Sequence, residues 1–200
     1  MTDIMLDIET LGTDQDAVTT QIAAVAFNPY CYEAPSVGFN SYINFNDQHD
    51  RSISLETLEF WAKQPNNLFL QMLAQCSKAP NLDDVLINLY SFLKEVRPGR
   101  VWANGITFDL SIIQNAAEER GLPVYWLEGM GYRMPRCMRG LRDIALEKNP
   151  LLDLDDQVKH RLKVWKRDDG LAHDALYDCN YQAAAVQLMY QSLGMKRPGT

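Results

Sequence analysis

Five reactive side chains, divided over three short segments, constrain how this chain can fold. Asp7 and Glu9 lie in MLDIETLG near the start, Asp109 ends WANGITFD at mid-chain, and His173 and Asp178 lie in LAHDALYDC near the end. Four carboxylates and one imidazole are the groups that a two-metal phosphodiester hydrolase uses. We therefore expect a fold that brings the three segments to one place.

Length and composition predict one globular domain spanning residues 1–200. The 200 residues are 46% hydrophobic and 22% charged, which is sufficient for a full hydrophobic core. The sequence contains no internal repeat, low-complexity tract or linker. The net charge of −7 argues against a protein that coats nucleic acid through charge alone. It is compatible with an acidic centre that divalent metal neutralises.

The cysteines and the N-terminus indicate a cytoplasmic protein. Cys31, Cys76, Cys137 and Cys179 form no CxxC pair and lack zinc-site spacing, so we interpret them as free thiols in a reducing compartment. The chain does not start with the charged and apolar regions of a secretory signal. No apolar run approaches the ~20 residues that span a bilayer, so we expect no membrane association.

Periodicity predicts five strands and a series of helices. Apolar residues alternate over 4–9, which predicts a strand, and further strands are expected at 21–27, 38–45, 100–103 and 124–127. Helices are expected at 55–64, 67–75, 82–97, 109–120, 137–147 and 175–193, with Ser54 and Asn81 as N-caps. Residues 149–170 are polar and receive no assignment. Strands followed by helix–strand–helix units predict an α/β fold, a mixed five-stranded sheet with helices on both faces.

Asp7 and Glu9 are spaced for metal binding. Two residues apart on a strand, they project from one face at roughly 6.5–7 Å, which suits two ions held ~3.5–4 Å apart. Hard oxygen ligands favour Mg²⁺ or Mn²⁺ over zinc. The other interpretation is a solvated face, but the apolar neighbours Leu6, Ile8 and Leu11 indicate an interior strand, where acids need a partner.

The other two segments each permit two interpretations. Asp109 opens a helix, where a carboxylate also complements the helix dipole. His173 and Asp178 would not share a face if both were helical. Asp174, however, is a suitable N-cap for a helix from Ala175, and this leaves His173 on the preceding loop. A histidine there is either merely exposed or a general base for an attacking water.

Together the three segments resemble the DEDDh superfamily of 3′–5′ exonucleases. D-x-E-T matches Asp7, Glu9 and Thr10, F-D matches Phe108 and Asp109, and H-x4-D matches His173 and Asp178. One departure concerns the asparagine that many members carry four residues before the second aspartate, because Gly105 stands there. The WANGITFD form is similar to the subgroup of exonuclease VIII and phage exodeoxyribonuclease A.

The resemblance implies a ribonuclease-H-like fold, two divalent ions (Mg²⁺ or Mn²⁺) and release of 5′-mononucleotides from a 3′ end. It implies that Asp7, Glu9, Asp109 and Asp178 bind metal and that His173, together with Glu9, is catalytic. Six residues are candidate nucleic-acid contacts: Thr10, Leu11, Gly12, Trp61, Gly105 and Phe108. Trp61 is a stacking candidate whose other interpretation is a core tryptophan.

Two basic clusters are candidates for contact with the phosphate backbone, although such runs are usually solvated surface. Arginines recur at every third position from Arg133 to Arg142, and six basic residues lie between Lys159 and Arg167 on an expected loop. Local positive charge would attract a polyanion to a protein that is acidic overall.

Three functions follow from these patterns. The first is a metal-dependent 3′–5′ exonuclease acting on single-stranded DNA, and the second is an exoribonuclease acting on RNA ends or short oligonucleotides. The third is a non-catalytic module that binds nucleic acid or a polymerase, which would be marked by loss of a metal ligand, yet all five positions are occupied. The expected partner is a single-stranded DNA or RNA 3′ end, and a homodimer is a further expectation.

Overall fold

One five-stranded sheet organises the chain. The structure, a computed structural model, describes residues 2–128 and 131–197. Its strands run in the order β3-β2-β1-β4-β5. Their bounds are β1 Asp3–Thr10, β2 Thr19–Phe27, β3 Val37–Tyr42, β4 Val101–Ala103 and β5 Pro135–Cys137.

The sheet is mixed, as the sequence predicts. β1 pairs antiparallel with β2, which pairs antiparallel with β3, and the register shifts between Glu9 and Thr10. On its other side β1 pairs parallel with β4, and β4 pairs parallel with β5. Because β1, β4 and β5 point the same way, their carboxyl ends meet at one edge, where open α/β sheets place their ligand sites.

Helices cover both faces of the sheet. Their bounds are α1 Leu55–Ala62, α2 Leu68–Cys76, α3 Leu82–Val96, α4 Ile106–Glu119, α5 Met138–Lys148, α6 Leu154–Trp165 and α7 Ala175–Ser192. The expected caps are confirmed, since the side chain of Ser54 accepts from the Thr57 N–H and that of Asn81 from the Asp84 N–H. Within the described ranges, the search for a helix with the length and apolar character to cross a bilayer found none.

The alternation of β1 separates two hydrophobic cores. Ile4, Leu6 and Ile8 are buried in the core that contains α3 and α4. Met5 belongs to the opposite core, which contains α5, α6 and α7. A smaller cluster packs α1 and α2 at the end of the sheet. Asp7 and Glu9 therefore project from the face covered by α7, because they alternate with the isoleucines and Leu6.

Three expectations were wrong in detail. Residues Tyr125–Leu127 form a 3-10 turn instead of a strand, and the fifth strand is Pro135–Cys137. The unassigned polar segment contains α6, so most of the second basic cluster lies on a helix and not on a loop. α4 begins at Ile106, three residues earlier than expected, which leaves Asp109 in its first turn.

Candidate active site

β1 carries Asp7 and Glu9 into the interior. All eight residues of the strand are buried, and the two carboxylate residues are only 9% and 8% exposed. Burial, followed by the charges of Asp109 and Asp178, raises the pKa of Asp7 well above its usual range. Burial and the charge of Asp7 do the same to the pKa of Glu9. The two acids are therefore not on a solvated face.

The first turn of α7 is fixed to the sheet through its N-cap. The side chain of Asp174 accepts from the backbone N–H groups of Leu176 and Tyr177 at 3.1 and 3.0 Å. Its other oxygen accepts from the Tyr42 hydroxyl at 3.1 Å and from the Gln21 amide at 3.2 Å. This cap, which the sequence predicts, holds the turn that carries Asp178 against β2 and β3.

Gln182 connects α7 directly to the acidic strand. Its Nε2 donates to Oδ1 of Asp7 at 2.7 Å, and both side chains are buried. Gln182 lies four residues after Asp178, and therefore on the same helix face. Gln182 is not among the site residues expected from the sequence, although its i, i+4 spacing from Asp178 is a signal that could have identified it.

His173 lies on the loop before α7, as predicted. Its backbone adopts φ 68°, and its N–H donates to Oδ2 of Asp178 at 3.0 Å. The imidazole contacts the rings of Phe60 and Trp61, with centroid distances of 4.9 and 6.1 Å. A positive φ is uncommon for a residue with a side chain, so the surrounding contacts hold this conformation.

Three candidate residues from two distant segments meet here. One ligand atom each of Glu9, His173 and Asp178 lies within 4.8 Å of the others. Burial raises the pKa of the Asp178 carboxyl, and the His173 N–H opposes that shift. The first and third segments therefore converge in space.

Asp109 lies in the first turn of α4 and is not one of these three residues. It is 4% exposed, and burial raises its pKa to about 6. Backbone N–H groups, including that of Ile8 on β1, and the charge of Arg139 act against that shift. The charge of Asp109 raises the pKa of both Asp7 and Glu9, so the second segment lies close to the acidic strand.

The donor set fits divalent metal. Within residues 2–128 and 131–197, none of the ion pairs includes a carboxylate of the proposed centre, that is, of Asp7, Glu9, Asp109 or Asp178. Buried carboxylates that raise each other's pKa need a cation. The four carboxylates offer hard oxygen ligands, which suit Mg²⁺ or Mn²⁺, and one imidazole lies beside them. The chemistry of the group thus agrees with the metal site expected from the sequence.

A pocket of about 330 Å³ opens beside Glu9. Four of the candidate nucleic-acid contacts line it, namely Thr10, Gly12, Trp61 and Phe108. Phe60 lines the pocket as well, although it is not among the site residues expected from the sequence. Its position next to the candidate Trp61 in the chain was the available signal. Three aromatic side chains therefore line the pocket together with Glu9.

The remaining candidates lie around this pocket. Leu11 is buried in the cluster with Trp61 and does not line the pocket. Gly105 lies against Phe108 and Arg139, outside the lining. Trp61 is a core tryptophan, because it is 2% exposed and donates from Nε1 to the Thr10 carbonyl at 2.8 Å. Part of it also lines the pocket, and its stacking on a base stays a prediction.

Comparison with known sequences gives one family and one relative. The model of the 3′–5′ exoribonuclease Rv2179c-like domain family matches residues 2–190. An exodeoxyribonuclease of Enterobacteria phage T4 is 24% identical over 198 residues, which cover 90% of this chain and 85% of the phage protein.

Comparison with solved structures gives nuclease folds. E. coli exonuclease I in complex with a dA16 oligonucleotide superimposes with a TM-score of 0.69 at 16% identity, over 96% of this chain and 41% of that one. This chain therefore spans less than half of exonuclease I. The Mg²⁺- and Mn²⁺-bound form of S. pombe Pop2p gives a TM-score of 0.62 at 15% identity, over 96% and 84%. The ribonuclease-H-like fold is confirmed, whereas the homodimer gains no support.

Proposed function

We propose that this chain, which belongs to the family of Rv2179c-like 3′–5′ exoribonuclease domains, is an exonuclease that depends on divalent metal. Its proposed reaction is the removal of 5′-mononucleotides from the 3′ end of single-stranded DNA. That it is a DEDD-type 3′–5′ exonuclease acting on nucleic acid follows from the family, the phage relative and the fold. The substrate sugar, the metal ions and the residue roles are the proposal.

One observation carries the proposed chemistry, namely the convergence of Glu9, His173 and Asp178 within 4.8 Å. Two of these residues are carboxylates and one is an imidazole, from segments more than 160 residues apart in the chain. A purely structural carboxylate cluster would be neutralised by lysine or arginine, and in the described ranges these acids form no ion pair.

Asp7, Glu9, Asp109 and Asp178 would hold Mg²⁺ or Mn²⁺. Two such ions, when bound, lower the pKa of water and stabilise the charge that develops on the phosphate. Support comes from the donor set and from Pop2p, whose structure is described as an Mg²⁺- and Mn²⁺-bound form. The Gln182 amide, donating to Asp7, would orient that carboxylate.

His173 is the proposed general base. Water attacks the terminal phosphorus, its proton passes to the imidazole, and the bond to the 3′ oxygen of the preceding nucleotide breaks. The 5′-mononucleotide leaves, and the shortened strand keeps a free 3′ hydroxyl. The backbone N–H that His173 donates to Asp178 fixes the loop without using the imidazole.

The pocket beside Glu9 is the proposed site for the terminal nucleotide. Phe108 is half-buried and Phe60 is 42% exposed, so both present aromatic surface to a base or sugar. Stacking of this kind tolerates any base, which suits an enzyme that degrades a strand regardless of sequence. Thr10 would contact the nucleotide through its backbone, because its hydroxyl already donates to the Gly12 carbonyl at 2.7 Å.

The family and the phage relative point to different sugars in the substrate, ribose and deoxyribose. The phage T4 relative, 24% identical over most of both chains, is named an exodeoxyribonuclease and supports DNA. The family description names an exoribonuclease and supports RNA as the second candidate.

Matched oligonucleotides separate the two candidates. A DNA and an RNA strand of identical sequence, each labelled at the 5′ end, are digested in one tube with Mg²⁺, and the shortening of both is followed on a gel. We expect the DNA to be degraded faster. Equal or faster loss of the RNA would overturn the DNA assignment and support the exoribonuclease.

A further inference from the structure

An arginine lies next to the acidic centre, and none of the roles described so far involves it. Arg139 is in the first turn of α5, directly after β5. Gly105 follows β4 as the N-cap of α4, whose first turn carries Asp109. Because β4 and β5 are parallel neighbours, the turns that follow them lie side by side at the same sheet edge. The topology therefore places the side chain of Arg139 at the sheet edge that carries the carboxylates.

The guanidinium of Arg139 covers the bare backbone of Gly105. Its Cζ and Nη2 lie 3.7 Å from the position that a Cβ on Gly105 would take, and the Cβ of Phe108 lies at the same distance. Phe108 lines the pocket beside Glu9. The guanidinium therefore lies at the border between that pocket and the first turn of α4.

Arg139 differs from the other arginines of its cluster. Arg136 donates to the carbonyls of Arg133 and Pro135 at 2.7 and 2.8 Å. Arg142 pairs with Asp155 at 3.3 Å. Arg139 is exposed, and in the part of the chain that the structure describes its guanidinium has no hydrogen-bond or ion-pair partner. Its five donors are available to a ligand.

The charge of Arg139 already acts on the centre. It stabilises the ionised form of Asp109 without forming an ion pair with it. The protein has a net charge of −7, so a cation beside the carboxylates favours the approach of a phosphate strand. Arginine suits this role because its planar fork binds phosphate oxygens in a bidentate manner.

We propose that Arg139 binds one backbone phosphate of the substrate strand next to the carboxylate centre and thereby fixes the strand relative to Asp109 and Phe108. This inference rests on the proposed function. It assigns an anion site to the guanidinium that lies against Gly105.

Activity measurements test the consequence for catalysis. Arg139→Ala should lower kcat/KM on a single-stranded oligonucleotide roughly 10- to 100-fold, because a charged hydrogen bond to phosphate is lost. Arg139→Lys keeps the charge without the fork and should lose less. Arg142→Ala is the matched control, since that arginine is already paired with Asp155, and it should stay near wild type.

Salt dependence of binding tests the phosphate contact itself. With chelator present to stop cleavage, the affinity for a fluorescein-labelled oligonucleotide is measured by anisotropy at several salt concentrations. The slope of log K against log salt should become shallower by about 0.7 in Arg139→Ala, which is one phosphate contact to a single strand, and stay unchanged in Arg139→Lys and Arg142→Ala.

The two experiments test the exonuclease activity and the contact of Arg139 with phosphate separately. A wild-type protein that releases no mononucleotide would overturn the proposed function, and the binding slopes would still report on Arg139. Equal slopes for Arg139→Ala and Arg142→Ala would overturn the phosphate contact even if the wild type is a fully active exonuclease.

Discussion

The ring of Phe60 meets the imidazole of His173 edge to face, with centroids 4.9 Å apart and planes at 87°. Phe60 belongs to α1 and lines the pocket, whereas His173 lies on the loop before α7. The contact therefore joins the proposed nucleotide site to the proposed base. The contacts of the imidazole with Phe60 and Trp61 define where the ring lies.

Phe60→Ala should reduce the rate of cleavage roughly two- to tenfold, the worth of one aromatic pair. The measurement is single-turnover hydrolysis of a single-stranded oligonucleotide. The control is the same substitution in a His173→Ala background, where the loss should be smaller, because only the contact of Phe60 with the nucleotide is then removed. An equal loss in both backgrounds would mean that Phe60 acts on the nucleotide and not on His173.

His173→Ala should lower the single-turnover rate by about 10²–10⁴, the usual contribution of a general base. His173→Asn is the matched variant, because asparagine tolerates a positive φ and keeps the N–H to Asp178, but it does not accept the proton. Both variants should lose activity equally. Near-wild-type activity in His173→Asn would show that only the backbone of residue 173 matters.

Stability in chelator should depend on pH through Asp109. Burial raises the pKa of its folded-state carboxyl to about 6, above the unfolded value of 3.8. As pH rises between these values, the unfolded chain loses its proton first, so the free energy of unfolding falls by up to about 3 kcal/mol. Above about pH 6 this contribution is fully lost.

Thermal melts in EDTA from pH 4.5 to 7.5 measure this effect. Asp109→Asn should remove the part of the decline in stability with rising pH that is due to this residue. The variant should also melt at a higher temperature than wild type at pH 7. Mg²⁺ should then stabilise the wild type more than the variant. Exposed Asp169→Asn serves as the control and should behave as wild type. Identical pH dependence in all three proteins would contradict the buried, uncompensated charge.

Gln182→Leu should raise the Mg²⁺ concentration for half-maximal activity by about 10- to 100-fold. The substitution removes the donor to Asp7 at nearly constant volume, and partners that orient a metal ligand contribute on this scale. Exposed Gln191→Leu on the same helix is the control. An unchanged Mg²⁺ requirement in a folded Gln182→Leu protein would show that Asp7 needs no orientation.

Short-range patterns predicted the local structure around the proposed site. The alternation of β1 indicates that Asp7 and Glu9 share a face, and the N-cap Asp174 indicates that His173 precedes α7 on a loop; the structure has both features. What brings the segments together is the parallel pairing of β1 with β4 and the packing of α7 on the sheet. These are long-range contacts, and periodicity carries no information about them.

The errors have physical causes. Leu154, Val158 and Leu162 repeat at helical spacing behind the N-cap Asp153, but the charged residues between them hide the pattern of α6. β5 has only three residues and begins with proline, so no alternation identifies it without its partner β4. Buried Trp126 gave residues 124–127 a strand-like composition that packing into the α3 and α4 core explains instead.

Chromatography of the products from a single-stranded DNA labelled at either end tests the carboxylate centre most directly. With Mg²⁺, the 3′-labelled strand should release a labelled 5′-mononucleotide at once, while the 5′-labelled strand shortens stepwise. Chelator, or Asp7→Asn in a folded protein, should stop both. Release of mononucleotides that begins at the 5′ end, or wild-type cleavage by Asp7→Asn in chelator, would contradict a metal centre at Asp7 that works from the 3′ end.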